Sequence, residues 1–500
     1  MSTLEPIRVE LPDEAATLRL AEDVAAKLAI GDVIALRGDL GAGKTSFARA
    51  LIRAVAADAA YEVPSPTFTI VQTYDTRLPI AHFDLYRLGS IDEMQEIGFD
   101  EAVSEGVVLV EWPERAEESL PANRLEIALD LHGAGRMATL SGGGDWPQRL
   151  ERTLAIRAFL DRGGFAEASR RHLQGDASTR AYERVETPEG KRAVLMDAPE
   201  RPPGPIVRDG RTYDDLAHRA TTVRPFVAMS DGLRAAGFSA PAILAADMPA
   251  GLLLVEDLGK EGVLVDGAPD AERYGVAVDV LAALHATPRP VELPLPDGTR
   301  HIVPPFDADA LMIEVDLLPR WFARHATGAS LSDEAEAEFV AVWRDLFARI
   351  DATEKSWLLR DFHSPNLLWL PEREGLCRIG ILDHQDAMIG ASAYDVASLL
   401  QDVRVSVEPA LETALADRYV AARKALGAFD EAAFREAYAI SGAQRATKVL
   451  GGFARLAEAA GKPQYLRHIP RVRGYLKRCL RHPVLSGLAL WYERYLPLDD

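Results

Sequence analysis

Cysteine is nearly absent from this 500-residue chain: Cys377 and Cys479 are the only two. Two thiols cannot build a disulfide framework or a cysteine-rich zinc site, and such sparing use fits a reducing compartment. Uninterrupted apolar runs last only a few residues, far below the roughly 20 that span a bilayer, so no membrane contact is expected. The opening MSTLEPIRVELPDEAA has neither the basic n-region nor the apolar h-region of a secretory signal. A cytoplasmic location is the expectation. Positive charge is also scarce, with 56 Lys and Arg against 76 Asp and Glu and a net charge of −20. A chain this acidic repels a phosphate backbone, so no direct nucleic-acid contact is expected. No repeat with a period of 20–50 residues is visible.

What is present is ordinary for a soluble globular protein: 48% hydrophobic, 26% charged and 7% aromatic residues, which excludes collagen-like, coiled-coil and wholly disordered chains. The length suggests about three domains. Charge is unevenly spread. Residues 1–147 hold 12 basic and 25 acidic residues, whereas 148–500 hold 44 and 51. Ser141-Gly142-Gly143-Gly144-Asp145 reads as a flexible Gly-rich linker. Before it the pattern is mixed α/β: a helix over 14–29 with Leu18, Ala21, Val24 and Leu28 on one stripe, buried strands at 33–36 and 107–110, and a helix over 44–55. After it, helix and strand signals give way to helix, almost continuously from Leu400. There Val472, Tyr475, Leu476, Cys479 and Leu480 share one apolar face, which makes Cys479 a buried, inert thiol.

Gly38-Asp39-Leu40-Gly41-Ala42-Gly43-Lys44-Thr45 fits G-x-x-x-x-G-K-[ST] without a mismatch, after a strand and before a helix. Glycines let successive N–H groups turn inward as an anion nest, and the helix N-terminus adds its positive end. Lys44 can reach the β and γ phosphates of ATP, and the Thr45 hydroxyl can ligate Mg²⁺. Such a site also needs an acidic metal partner. Glu111 closes the apolar strand 107–110 and Asp84 sits in Ala81-His82-Phe83-Asp84-Leu85. On pattern alone, Asp84 reads equally as a solvated loop carboxylate and Glu111 as a plain strand-end one.

In the second part, Asp361-Phe362-His363-Ser364-Pro365-Asn366 lies between apolar Trp357-Leu358-Leu359 and Leu367-Leu368-Trp369-Leu370, and Arg378-Ile379-Gly380-Ile381-Leu382 leads to Asp383. This is the layout of a protein-kinase-like catalytic loop. Asp361 would accept the proton of a substrate hydroxyl, and Asn366 and Asp383 would hold Mg²⁺. Asp386 reads as a loop acid, Asp395 as a brace for the loop, and His363 and His384 as packing or hydrogen-bonding residues beside it. Upstream, 174–185 suits a strand–turn–strand lid over ATP phosphates, with Ser178 and Arg180 as phosphate contacts, or a plain hairpin. Leu252 to Gly259 suits the strand and hinge between two lobes.

The strings GDLGAGKTSF, VPSPTFTIVQTYD, HFDLYRL and VVLVEWPER together resemble the bacterial TsaE family, the ATPase subunit of the tRNA threonylcarbamoyladenosine machinery. The resemblance implies that Gly38, Gly41, Ala42, Gly43, Lys44 and Thr45 hold ATP. It also implies that Asp84 and Glu111 serve Mg²⁺ and the attacking water, that Trp112 lies beside the nucleotide, and that Ser65-Pro66-Thr67 forms a switch-like loop. The implied partners are TsaB-like and TsaD-like protein subunits. The strings GDASTRAYERV, VLMDAP, LLVEDLG, RDFHSPNLLWLP, IGILDHQDAMIGASAYDVASLLQD and KVLGGFARLAEAAGKPQYLRHIPRVRGYL resemble aminoglycoside-phosphotransferase-like kinases of the AmgK type. Those phosphorylate the anomeric hydroxyl of N-acetylmuramate and N-acetylglucosamine in cell-wall recycling, which implies a small amino-sugar substrate.

Two departures stand out. Leu359 replaces the usual packing His before the catalytic Asp, and Met196 stands near the slot of the usual strand Lys, for which Lys191, Arg192 or Arg180 could substitute. The expected architecture is an α/β P-loop NTPase domain (1–140), a linker (141–149), and a two-lobed protein-kinase-like (α+β) phosphotransferase domain with its N-lobe at 150–260 and helical C-lobe at 261–500. The expected function is bifunctional. The alternatives are a kinase for another hydroxyl compound such as an aminoglycoside, or a non-catalytic pseudokinase.

Overall fold

Seven strands join in one sheet: β1 (Ile7–Leu11), β2 (Val33–Arg37), β3 (Val71–Tyr74), β4 (Ile80–Asp84), β5 (Val107–Glu111), β6 (Leu125–His132) and β7 (Gly135–Gly142). Their order is β1-β7-β6-β2-β5-β4-β3. The centre, β6-β2-β5-β4, is parallel and the pairs at its flanks are antiparallel. β2 and β5 are apolar up to their last residues, Arg37 and Glu111, because both faces of the sheet are covered. Ile34, Leu36 and Leu109 pack against α1 (Glu14–Ala25) and α2 (Lys44–Ala56), while Val33, Val108 and Val110 pack against α3 (Phe99–Glu105). Asp13 caps α1 by accepting the Ala16 N–H. Ala21, Val24 and Leu28 face the core as expected, but Leu18 is exposed: α1 buries a narrower stripe than its apolar pattern offered.

The computed structural model describes residues 5–66, 68–87, 94, 96–173 and 180–498. It divides into one unit of Met1–Ala198 with Leu244–Asp257 and another of Pro199–Ile243 with Leu258–Asp500. The first unit therefore holds the seven-stranded sheet together with a second sheet. That sheet consists of β8 (Ser169–Leu173), β9 (Ala181–Glu186), β10 (Arg192–Asp197), β11 (Ile243–Asp247) and β12 (Leu252–Val255), in the order β11-β12-β10-β9-β8. Residues 199–243, expected in the N-lobe, pack with the second unit.

The segment read as a flexible linker is instead a tight turn. Ser141 and Gly142 close β7, and α4 (Trp146–Arg162) begins three residues beyond Gly143. A Cβ on Gly143 would stand 2.1 Å from the Ala122 carbonyl oxygen, so this glycine permits close backbone approach rather than motion. α4 then serves two cores. Trp146 and Leu150 lie in the core of the first sheet, and Ile156, Phe159 and Leu160 in that of the second.

Buried charge joins the two sheets as well. The Arg170 guanidinium on β8 donates to Asp23 Oδ1 of α1 at 2.6 Å and to both carboxylate oxygens of Glu183 on β9 at 2.6 and 2.8 Å. Its backbone N–H donates to Glu22 at 2.9 Å. Arg157 of α4 donates to both oxygens of Asp23, sharing Oδ1 with Arg170. At the end of β10, Asp197 accepts from Lys27 of the first sheet's layer at 2.7 Å and from Arg152 of α4.

In the second unit, β13 (Lys355–Leu358) pairs antiparallel with β16 (Met388–Ala391), and β14 (Leu367–Trp369) with β15 (Ile379–Ile381). Around them pack α5 (Arg224–Ala235), α6 (Ala271–Ala286), α7 (Ala308–Val315), α8 (Asp333–Asp351), α9 (Ala393–Leu400), α10 (Pro409–Leu426), α11 (Glu431–Ala459) and α12 (Ile469–Cys479). Val472, Leu476 and Cys479 are buried in one core with residues of α7, α8 and α11, and burial pushes the Cys479 thiol up to about 12. Among the described residues no helix is long and apolar enough to cross a membrane.

Candidate active sites

The phosphate loop leaves the carboxyl end of β2 and opens α2. Gly38, at φ 136°, leaves no room for a side chain, since a Cβ would meet the Leu129 carbonyl oxygen at 2.4 Å. Gly43, left-handed at φ 110°, caps α2, whose own first turn carries no acidic residue. Arg136 of β7 clamps the loop from outside by donating to the carbonyls of Ala42 at 2.9 Å and Gly41 at 3.3 Å.

Lys44 is folded back on the loop. Its ammonium donates to Gly38 O at 2.6 Å and Asp39 O at 3.0 Å, and lies 3.6 Å from the Trp112 ring centroid. Burial lowers its pKa against the pull of Glu111, Glu114, Asp84 and Asp39. Trp112, left-handed at φ 60°, thus sits directly on the loop's lysine.

Asp84 and Glu111 end adjacent parallel strands in register, at the carboxyl edge where open α/β sheets place their ligands. Both are buried, so Asp84 is not a solvated loop acid. Glu111 accepts from the Thr45 hydroxyl at 2.9 Å and pairs with His82 Nε2 at 2.9 Å. Nothing in the motif pattern singled out His82, which lies two residues before Asp84 and is fully buried. Of the switch-like segment, Ser65 and Pro66 are described and Thr67 lies outside the described residues. Pro66 O accepts from Ile70 N at 2.8 Å, and Ile70 O from Asp84 N at 2.9 Å, so the segment's end is tied to the Asp84 backbone.

Residues 174–179, including Ser178, lie outside the described residues; Arg180 stands immediately before β9. Met196, opposite Tyr182 and Leu253, is buried. Two of the three proposed substitutes for a strand lysine stand elsewhere. Arg192 pairs with Glu186 at the opposite end of β10 from Asp197. Lys191 donates to Gly164 O and lies 4.1 Å from the Phe165 ring centroid. Arg180 adjoins Ala181, the register partner of Asp197.

In the second unit, Asp361, Asn366 and Asp383 converge. The Asn366 side-chain N–H₂ donates to Asp361 O at 2.9 Å and to Asp383 Oδ2 at 3.3 Å, and Gln385 donates to Asp383 Oδ1 at 2.6 Å. Arg360 and Asp383 are left-handed, at φ 68° and 53°, a strained backbone that the surroundings must enforce. Asp395, at the start of α9, does so by accepting from the Leu359 and Arg360 N–H groups at 2.6 and 2.9 Å. Burial pushes its carboxyl up to about 7. Asp386 accepts from Ala220 N at 2.6 Å, a loop-bracing bond, and His384 stacks on Phe226.

The cations behind Asp361 had no role assigned from the sequence, although Arg360 and Lys448 open two of the quoted strings. Arg360 is ion-paired with Glu314 of α7, which also accepts from Lys448 at 2.7 Å and Gln444 at 2.9 Å. Arg445 donates to Arg360 O at 3.1 Å. Burial would raise the Asp361 carboxyl, but the charges of Lys448, Arg360 and Arg445 hold it well below the usual carboxylate range. It is therefore an anionic acceptor at neutral pH. His363 Nε2 lies 3.9 Å from Asp361 Oδ1, and burial lowers its pKa, leaving it neutral.

These two constellations define a P-loop ATPase joined to a protein-kinase-like phosphotransferase. Comparison with known proteins gives each its family. Residues 11–138 match the family described as threonylcarbamoyl adenosine biosynthesis protein TsaE, and residues 169–436 match the phosphotransferase enzyme family. An N-acetylmuramate/N-acetylglucosamine kinase of Caulobacter vibrioides is 40% identical over 361 residues, covering 70% of this chain and 98% of that protein. A tRNA threonylcarbamoyladenosine biosynthesis protein TsaE of Bacillus subtilis is 43% identical over 124 residues, covering 24% of this chain and 75% of that protein. Its counterpart in Rickettsia felis is 40% identical over 122 residues, covering 24% of this chain and 71% of that protein. The chain thus belongs to the TsaE family through residues 11–138 and to the phosphotransferase enzyme family through residues 169–436, and is an enzyme of bifunctional architecture.

Proposed function

We propose that the C-terminal part transfers the γ-phosphoryl group of ATP to the anomeric hydroxyl of N-acetylmuramate or N-acetylglucosamine. The N-terminal part, in this reading, hydrolyses ATP within a complex of TsaB-like and TsaD-like subunits and so supports threonylcarbamoyladenosine formation on tRNA. Both reactions belong in the cytoplasm. The observation that carries the kinase reading is Asn366, whose one amide spans the Asp361 loop and Asp383, on a chain 40% identical to an amino-sugar kinase over 98% of that kinase's length.

Asp361, anionic at neutral pH, accepts the hydrogen bond of the sugar hydroxyl and aims its oxygen at the phosphorus. A loose transition state asks for such positioning more than for a strong base. Asn366 and Asp383 offer few, hard oxygen donors, which fits Mg²⁺ completed by phosphates and water. When bound, Mg²⁺ neutralises charge on the phosphates. Arg180 is the remaining candidate for the phosphate-binding cation. In the N-terminal part, Thr45, Glu111 and Asp84 form the corresponding oxygen set. Lys44 would leave the Gly38 and Asp39 carbonyls to meet phosphate oxygens, and Glu111, held by His82, would orient the attacking water.

The test is phosphorylation of both sugars with Mg·ATP by wild type, Asp361→Ala and Lys44→Ala. Asp361→Ala should cut sugar-phosphate formation by about a hundredfold or more. Lys44→Ala should abolish nucleotide binding at the N-terminal site and spare the sugar reaction. A folded wild-type protein that phosphorylates neither sugar would refute the kinase reading.

A further inference from the structure

The segment Leu466-Arg467-His468-Ile469-Pro470-Arg471 carries three basic side chains in an otherwise acidic protein, and no step above uses it. It meets the catalytic loop through a single short segment. Asp402 accepts from the Ser364 N–H at 2.9 Å and the Ser364 hydroxyl at 2.5 Å, and its other oxygen accepts from Arg404 N at 2.8 Å. This fixes the Arg404 backbone beside the Asp361 loop. The Arg404 guanidinium then reaches His363 Nε2 at 3.5 Å, the same nitrogen that lies 3.9 Å from Asp361. Arg471 is pinned to the same segment, donating to Val403 O and Ser406 Oγ, each at 2.9 Å, and lying 3.1 Å from His468 Nδ1.

The guanidiniums of Arg404, Arg467 and Arg471 depress the pKa of His468 beyond what its burial does. The ring is therefore neutral and the arginines supply the positive charge. Asp402, the acidic group that faces them, already accepts three hydrogen bonds. Beside them Phe453 forms a shelf with Tyr465 and His468, at centroid distances of 5.5 and 5.8 Å. Fixed guanidiniums next to an aromatic shelf suit a planar carboxylate on a ring-shaped ligand.

We propose that Arg404 and Arg471 form a carboxylate subsite beside Asp361 that binds the lactyl group of N-acetylmuramate, with the Phe453 shelf under the sugar. This rests on the amino-sugar reading above. N-acetylmuramate is N-acetylglucosamine carrying a lactyl ether on O3, so the two sugars share the reacting hydroxyl and differ by one lactyl group and its carboxylate. The subsite gives the enzyme a reason to prefer the charged sugar.

The experiment measures kcat/KM for both sugars, and for the N-methylamide of N-acetylmuramate, with wild type, Arg471→Gln and Arg404→Gln. A charge-assisted contact makes a difference of about tenfold or more. The wild-type preference for N-acetylmuramate over its neutral amide should be of that size. The ratio of kcat/KM for N-acetylmuramate to that for N-acetylglucosamine should fall about tenfold in either variant, mainly through KM. If both sugars are phosphorylated but the amide matches the acid, or the ratio stays within twofold, the subsite is refuted and the kinase reading stands. If wild type phosphorylates neither sugar, both fail together. The amide comparison uses only the wild-type protein, so a variant that misfolds does not blunt the test.

Discussion

Replacing Arg170 by Met removes the centre of the charge network that ties α1 to the second sheet. The side chains involved are almost completely removed from solvent: Arg170 at 0% and Glu183 at 3% exposure, with Asp23 at 10%. Asp23 would retain Arg157, but Glu183 would lose both of its bonds from the Arg170 guanidinium. Leaving one member of a buried pair without its partner costs about 3–5 kcal/mol. For a unit of this size that is a fall in melting temperature of roughly 6–20 °C, at about 2–4 °C per kcal/mol. Replacing the pair by apolar residues is often neutral, so Arg170→Met with Glu183→Leu should recover most of the loss.

The assay is a double-mutant cycle in urea with the full chain, read by circular dichroism and by nucleotide binding at the Lys44 site. Both probes should shift together, because α1 belongs to the layer that supports the phosphate loop. A coupling energy under about 0.5 kcal/mol, the size expected of independent sites, would refute the argument. So would an Arg170→Met protein as stable as wild type.

Two further outcomes follow from single groups. Burial raises the Glu22 carboxyl from 4.5 to about 7, against the backbone N–H of Arg170. A folded pKa above the unfolded one means that the associated stability is full below about 4.5 and is lost as pH rises through about 7. Glu22→Gln should thus match wild type in melting at pH 5 and exceed it at pH 8 by up to about 3 kcal/mol; equal melting curves at pH 8 would exclude this. In thiol titration, Cys377 should react in the folded protein and Cys479 only after unfolding, since Cys479 is buried with its pKa pushed up to about 12. Two equivalents of fast-reacting thiol would contradict the packing of α12.

The chemistry-bearing residues were legible because they stand together in the chain. Lys44 and Thr45 share one loop, and Asp361 and Asn366 another, so spacing alone expressed their geometry. The supports were not legible, because their partners are distant: Asp23 and Arg170 are separated by 147 positions, and Arg360 and Glu314 by 46. His82 was hidden differently. It lies inside a recognised string, but on a strand face whose direction toward Glu111 depends on the parallel register of β4 and β5. The glycines at 142–144 misled because composition cannot separate a flexible tether from close backbone approach, and the contact of Gly143 with Ala122 decides between them. Leu18 shows the same limit, since helical spacing identifies a stripe but not how wide a stripe its neighbours cover.

The shared helix α4 and the Asp197 carboxylate, held at once by Lys27 and Arg152, give the two sheets of the first unit a common fate. A lesion that loosens either sheet exposes apolar surface of α4 on both, so cellular quality control would remove both activities in one event. The two catalytic parts, carried on one chain, are therefore made and removed in a fixed ratio of one to one.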